Sequence, residues 1–199
     1  VKKIAFFDFD GTITTHDTLL EFIKFSKGVG AFYTGFALNS PYLVALKLKL
    51  MHNQVAKEKV LAHFFRNMPL KEFDEICERF QREKLPALIR LGALQEIEKL
   101  KAEGADITLV SASPENWIRH WAQKMGLKLI ATVLEEKDGK LTGRIKGKNC
   151  YGIEKVNRIK ELYRLEDYDT IFAYGDSSGD TEMLAIATSS FKKPFREKL

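Results

Sequence analysis

Two kinds of apolar patterning alternate along the chain. The first is a short, almost unbroken apolar run, seen at Ile4-Ala5-Phe6-Phe7, Ile107-Thr108-Leu109-Val110, Leu129 to Leu134 and Ile171-Phe172-Ala173-Tyr174. Runs of this length, stopped by glycine or polar residues, predict strands buried on both faces, as in a parallel sheet. The second is apolar recurrence at helical spacing. Leu88, Leu91, Leu94, Ile97 and Leu100 predict a helix from Leu85 to Lys101, with Gly104 where a C-terminal cap belongs. Gly152 to Tyr163 carries the same period, while Gly126 and Asp138-Gly139 read as turns. Strands alternating with helices predict an α/β fold with a mainly parallel sheet.

One interval breaks the alternation. A strand-helix-strand unit takes roughly 30 residues, yet the first two strands end near Asp10 and Ser111. Residues 15–84 are helical in character and poor in strand pattern, which predicts a small α-helical cap inserted into a core made of residues 1–14 and 85–199. Within that insertion residues 28–46 carry no formal charge and are rich in Phe, Leu, Val and Tyr. Length alone would allow a membrane span. Gly28, Gly30, Gly35, Asn39, Ser40 and Pro41 interrupt it, and Pro41 predicts two shorter helices, either packed in the cap or making peripheral contact with a membrane.

With 199 residues and 45% hydrophobic content the chain can bury a good core, which excludes general disorder. The net charge of +5 is spread along the sequence apart from Lys192, Lys193, Arg196 and Lys198. That suits an anionic small-molecule substrate and lacks the clustering of a nucleic-acid footprint. Cys77 and Cys150 stand far apart without metal-ligand spacing, so neither a zinc site nor a disulfide framework is predicted and a reducing cytoplasm is expected. The direct entry from Val1-Lys2-Lys3 into a strand argues against a secretory signal.

Three polar clusters fall at the predicted strand ends, where function gathers in parallel α/β sheets. In Asp8-Phe9-Asp10-Gly11-Thr12, alternation puts both carboxylates on one side. One can attack phosphorus and bind Mg²⁺; the other can protonate the leaving oxygen and later activate water. Asp-Gly alone is an ordinary turn signal, but four specified residues in five positions arise by chance on the order of once in a thousand such chains. Gly175-Asp176-Ser177-Ser178-Gly179-Asp180 offers Asp176 as an opposing ligand for a hard cation. Asp180 can cap a helix, orient water or hold a lysine. Ser111 and Ser113, ahead of a helical stretch from Pro114, would set a hydroxyl and free N–H groups against a phosphate oxygen. Lys155, near a helix start, can balance phosphoryl charge.

In this order the clusters resemble those of the haloacid dehalogenase (HAD) superfamily of phosphohydrolases, subfamily IB, the phosphoserine-phosphatase-like branch. The resemblance runs from Lys3 to about Ala187. It implies a Rossmann-like parallel core, a phosphomonoester substrate, an aspartyl-phosphate on Asp8, and Mg²⁺ held by Asp8, Asp176 and the backbone carbonyl of Asp10. Phosphoserine phosphatases carry a Glu where Asp17 stands, and a carboxylate-gripping cap Arg where Leu61 aligns; Arg66, a turn or more away, is the remaining substrate-binding candidate. These departures predict a leaving group bulkier or more apolar than serine, with Phe22, Phe25, Phe32, Tyr33 and Phe36 as cap surface. Phosphoserine and a lipid phosphate at a membrane are the alternatives. The inserted cap argues against a non-catalytic phospho-acceptor module, and Asp10 against a dehalogenase.

Overall fold

The computed structural model describes residues 1–48 and 50–196. Strand β1 (Lys3–Phe7) is the middle of the sheet because its side chains are apolar on both faces and fully buried from Ile4 onward. After it the chain makes a tight turn over Phe9–Ile13 and enters the insertion: α1 (Thr18–Lys27), α2 (Val29–Lys47), α3 (Asn53–Phe65) and α4 (Leu70–Glu83). It returns through α5 (Leu91–Ala102) to β2 (Asp106–Pro114), α6 (Arg119–Lys124) and β3 (Lys128–Thr132). A hairpin of β4 (Leu134–Lys137) and β5 (Lys140–Ile145) follows, then α7 (Ile153–Leu162), β6 (Thr170–Gly175), α8 (Thr181–Ala185) and β7 (Ser189–Lys192). The main sheet has five parallel strands in the order β3-β2-β1-β6-β7.

Four sequence expectations need correction. The apolar run Leu129 to Leu134 is not one strand: β3 stops at Thr132, and Leu134 opens the antiparallel hairpin that turns at Asp138-Gly139. The helix expected from Leu85 is a 3-10 turn over Leu85–Leu88 followed by α5. It breaks because the chain between them pairs with the other end of the insertion: Thr15 N–H donates to the Leu88 carbonyl and Arg90 N–H to that of Ile13, at 2.8 Å each. The stretch after Ser111 stays extended to Pro114, with a register shift against β3, and the helical stretch expected from Pro114 starts as a 3-10 turn over Glu115–Trp117, with α6 only from Arg119. Finally, α2 runs unbroken through Pro41. A mid-helix proline orphans the carbonyl four residues earlier; here that is Ala37, which is exposed like Pro41, so water can satisfy it. Among the described residues no helix is long and apolar enough to cross a membrane.

One apolar cluster joins the insertion to the sheet. Phe22 of α1 stacks on Trp117 at 4.7 Å and meets Phe65, Phe73 and Phe80 within 5.5 Å. Phe22, Phe32 and Leu61 are thus packing residues, and Phe25 sits edge-on to Phe80. The hairpin binds the far side of the insertion. Asn67 N–H donates to the Leu141 carbonyl, Leu141 N–H to Met68 and Leu70 N–H to Gly139. Gly143 lies so close to α3 that a Cβ there would stand 2.4 Å from the Ala62 Cα.

Candidate active site

Asp8 follows β1 directly, and its N–H donates to the Tyr174 carbonyl at the end of β6. The strand ends therefore bring Asp8 and Gly175-Asp176 side by side, as the strand pattern predicted. Gly11 completes the turn at φ +76°, and a Cβ there would fall 2.4 Å from Asp176 Oδ2, so only glycine lets the two segments meet.

Lys155, on the first turn of α7, is fully buried and donates to Asp8 Oδ1 and Asp180 Oδ1 at 2.6 Å each and to the Val110 carbonyl at 2.8 Å. A buried ammonium is tolerable only with such partners. Burial opposes its charge, but Asp8 and Asp180 outweigh this and hold its pKa above the ordinary lysine value. Asp180 in turn accepts from the Ser177 hydroxyl and from the N–H groups of Asp176 and Ser177. Burial works against its ionisation, yet Lys155 and these Ser177 donors together keep it below the usual carboxylate range. Asp8 is pushed up to about 7, by burial above all; Asp180 and Asp10 add to the rise and Lys155 opposes it.

Asp10 lines the same cavity but has other partners. Its Oδ1 accepts both the N–H and the hydroxyl of Thr18, each at 2.6 Å, and its Oδ2 accepts the Ser113 hydroxyl at 2.6 Å. Trp117 Nε1–H donates to Thr18 Oγ1 at 3.0 Å. Ser111 is buried behind Ser113, its Oγ accepting the Ser113 N–H at 3.0 Å. The helical stretch expected beside these serines starts one residue past Pro114, as a single 3-10 turn over Glu115–Trp117 ahead of α6.

A cavity of about 520 Å³ opens onto these groups, lined by Asp8, Asp10, Asp17, Ser113, Lys155, Asp176 and Asp180. Its upper wall comes from the insertion: Leu19, Leu20, Phe36, Leu46, Val60 and Lys57. Asp17, exposed at the mouth, caps α1 by accepting from Leu19 and Leu20 N–H. The protein around it and then the charge of Asp10 raise its pKa, against those two bonds. Arg66 is not in this cavity. It lines a separate groove of about 1090 Å³ between α3 and the hairpin, with Lys59, Lys140 and Arg144. The cation that the insertion itself brings to the cavity is Lys57, which donates to the Ala112 carbonyl at 2.6 Å. Nine residues separate Lys57 from Arg66, about two and a half helical turns, which puts them on opposite faces of α3. Sequence reasoning placed the missing cap cation at Leu61; the lysine one turn earlier was the available signal. Thr18 and Trp117 were also missed, as neither side chain carries chemistry until the fold brings it to Asp10.

Asp8, Asp176 and Asp180 each bring a carboxylate oxygen within 4.8 Å of the other two. An all-oxygen set suits a hard divalent cation such as Mg²⁺. Asp180 is committed to Lys155 and the Ser177 donors, so Asp8 and Asp176 are the pair able to turn to an ion. Burial and the charge of Asp180 hold Asp176 above its usual pKa, while Arg196, 3.0 Å away, opposes the rise. Carboxylates in that condition fit a cation.

Comparison with known proteins agrees with this arrangement. The family model of haloacid dehalogenase-like hydrolases matches residues 5–185. Protein CicA of Caulobacter vibrioides is 33% identical over 96% of this chain and 86% of its own. A phosphoserine phosphatase of Methanocaldococcus jannaschii is 28% identical over 94% and 82%. The solved phospho-aspartyl intermediate analogue of a phosphoserine phosphatase shares the fold, with TM-score 0.69 and 21% identity over 95% of this chain and 85% of that one. The parallel sheet, the acidic cluster at its carboxyl edge and these matches together make the chain a phosphatase that belongs to the haloacid dehalogenase-like hydrolase family.

Proposed function

We propose that the enzyme is a Mg²⁺-dependent phosphomonoesterase in which Asp8 is the nucleophile and Asp10 the general acid and base. The observation that carries this reading is Asp8 itself, a buried carboxylate at the end of the central strand, open to the cavity and fixed by Lys155 at 2.6 Å. Attack forms a bond between an Asp8 carboxylate oxygen and phosphorus and breaks the ester bond. Asp10 gives the departing oxygen its proton, so a neutral alcohol leaves. Water then attacks the aspartyl-phosphate, Asp10 takes its proton, and phosphate departs with the carboxylate of Asp8 restored. For Asp10 to reach substrate one of its three donors must yield. The Ser113 hydroxyl is the candidate, since Thr18 Oγ1 lies 3.2 Å away as a second partner.

Bound Mg²⁺ would neutralise phosphoryl charge, held by the carboxylates of Asp8 and Asp176 and, by family resemblance, the Asp10 carbonyl. Lys155 adds a fixed positive charge beside the reacting group, and Asp180 keeps it there. By the family resemblance Ser111 would donate to a phosphoryl oxygen; it is fully buried, outside the lining of the cavity, and its Oγ takes the N–H of Ser113, which does line it. The leaving group meets Leu19, Leu20, Phe36, Leu46 and Val60, which favours one with an apolar part.

A second reading is phosphoserine, favoured by Lys57 and Asp17 on the same wall. Their opposite charges match an α-carboxylate and an α-ammonium, and the archaeal relative bears that name. Competing substrates decide: kcat/KM for phosphoserine above that for alkyl and aryl phosphates establishes the second reading. Trapping of a phosphoryl adduct on any residue other than Asp8 would overturn both.

A further inference from the structure

Half of the large apolar side chains that stand exposed among the described residues, seven of fourteen, lie between Val29 and Leu50. Six belong to α2 or its end: Val29, Tyr33, Leu38, Tyr42, Val44 and Leu48. The opposite face, with Phe32 and Asn39, is buried in the insertion. No charged residue occurs from Gly28 to Leu46, so this outward face differs from that of an ordinary surface helix, which carries charge. Exposed apolar side chains gathered on one uncharged helix, in place of single ones scattered over the surface, mark a contact surface.

The rim says what covers it. Lys27 precedes the patch, Lys47 follows it, and Lys59 of α3 sits 5.4 Å above the Tyr42 ring. The one acidic side chain of α1, Glu21, is already paired with Lys24 and Lys84. A second copy docked by a two-fold axis would bring only this same lysine-rimmed face against itself, setting like charges together. An anionic lipid surface supplies the complement: headgroups for the lysines, acyl chains for the leucines and valines, and the boundary layer for the two tyrosines.

We propose that α2 lies in the surface of an anionic bilayer, and that the enzyme takes its phosphomonoester from that surface. The proposal rests on the phosphatase reading and extends it to substrate class. Phe36 and Leu46, on the inner side of the same helix, line the cavity, so docking of the outer side sets the cavity one helix diameter, about 10 Å, from the lipid boundary. A phosphomonoester with a lipid alcohol as leaving group would then have only the width of α2 between the acyl surroundings and the apolar wall of the cavity.

The test is co-sedimentation of the intact protein with vesicles of phosphatidylcholine alone or mixed with phosphatidylglycerol, beside hydrolysis of p-nitrophenyl phosphate in solution. Wild type should sediment with the mixed vesicles far more than with phosphatidylcholine alone, and less at high salt. Tyr33→Asp with Leu38→Asp should weaken vesicle binding on the order of tenfold or more. Lys47→Glu with Lys59→Glu should remove the preference for phosphatidylglycerol. Both pairs lie on the outer surface, so turnover of p-nitrophenyl phosphate and the circular dichroism spectrum should stay as in wild type. Equal sedimentation of wild type and the Asp variant, or none with either vesicle, overturns the proposal. So does a wild-type dimer without vesicle binding that the Asp variant abolishes. Loss of p-nitrophenyl phosphate hydrolysis in wild type, with vesicle binding kept, would instead count against the catalytic reading alone.

Discussion

Thr18 gives both its backbone N–H and its hydroxyl to one oxygen of Asp10, each at 2.6 Å. The first turn of the insertion is thereby tied to the second carboxylate of the core. Thr18→Val keeps the shape and the N–H but removes the hydroxyl, and leaves Trp117 Nε1–H without its acceptor. Loss of a hydrogen bond to a carboxylate costs about 1.5–3 kcal/mol, so kcat should fall roughly tenfold to a hundredfold. Thr18→Ser should restore most of it. Steady-state kinetics of the two variants check this, and an unchanged kcat in Thr18→Val would refute it.

Asp8→Asn should abolish phosphate release, because an amide is a poor nucleophile and a weaker ligand. Asp10→Asn should slow alkyl phosphates far more than p-nitrophenyl phosphate, since a good leaving group needs little protonation. Both follow from stopped assays over a series of leaving groups. Equal slowing across that series would remove Asp10 from the role of acid.

Lys155→Ala should destabilise the protein as well as slow it. Removing the ammonium strands two buried carboxylates, a change worth about 3–5 kcal/mol and a drop in Tm of roughly 10 °C. Mg²⁺ should return part of that loss by placing positive charge beside Asp8. Calorimetry with and without the ion measures both effects; a variant as stable as wild type in EDTA would show that the triad is not a paired unit.

Asp8 also sets a pH dependence. In the folded, chelated protein its carboxyl holds a proton up to about 7, whereas the unfolded chain releases it near the ordinary value of about 4. The folded state therefore binds more protons in that window, and stability falls as pH rises through it. In EDTA the Tm of wild type relative to Asp8→Asn should decline by at least about 4 °C from pH 4 to 7. Saturating Mg²⁺ should flatten the decline. A difference that grows with pH would contradict the assigned shift.

The acidic edge of the sheet was legible because its signals are local. Asp8, Asp10 and Asp176 each stand at the stop of an apolar run, and period-two alternation assigns their direction without knowledge of neighbours. Lys155 was legible only through its place in the order of motifs. The insertion hid more. Which face of α3 meets the cavity depends on packing against α2 and β5, so Arg66 and Lys57 could not be told apart from spacing alone. Pro41 breaks a helix where its orphaned carbonyl has no water, and exposure at Ala37 is a tertiary fact. The edge strand β7 has one apolar residue in four, Phe191, and thus no run to read.

The central strand has a further consequence, for the order in which the chain can fold. Ile4 pairs with Asp106 on one side and Ile171 on the other. Five residues made ahead of the rest of this sheet must wait through the whole insertion for one neighbour and through β2, β3 and the hairpin as well for the second. Contacts so distant in sequence make folding slow, and an apolar segment left unpaired meanwhile invites aggregation. During synthesis, the strand that leads into Asp8 is the segment most in need of shelter.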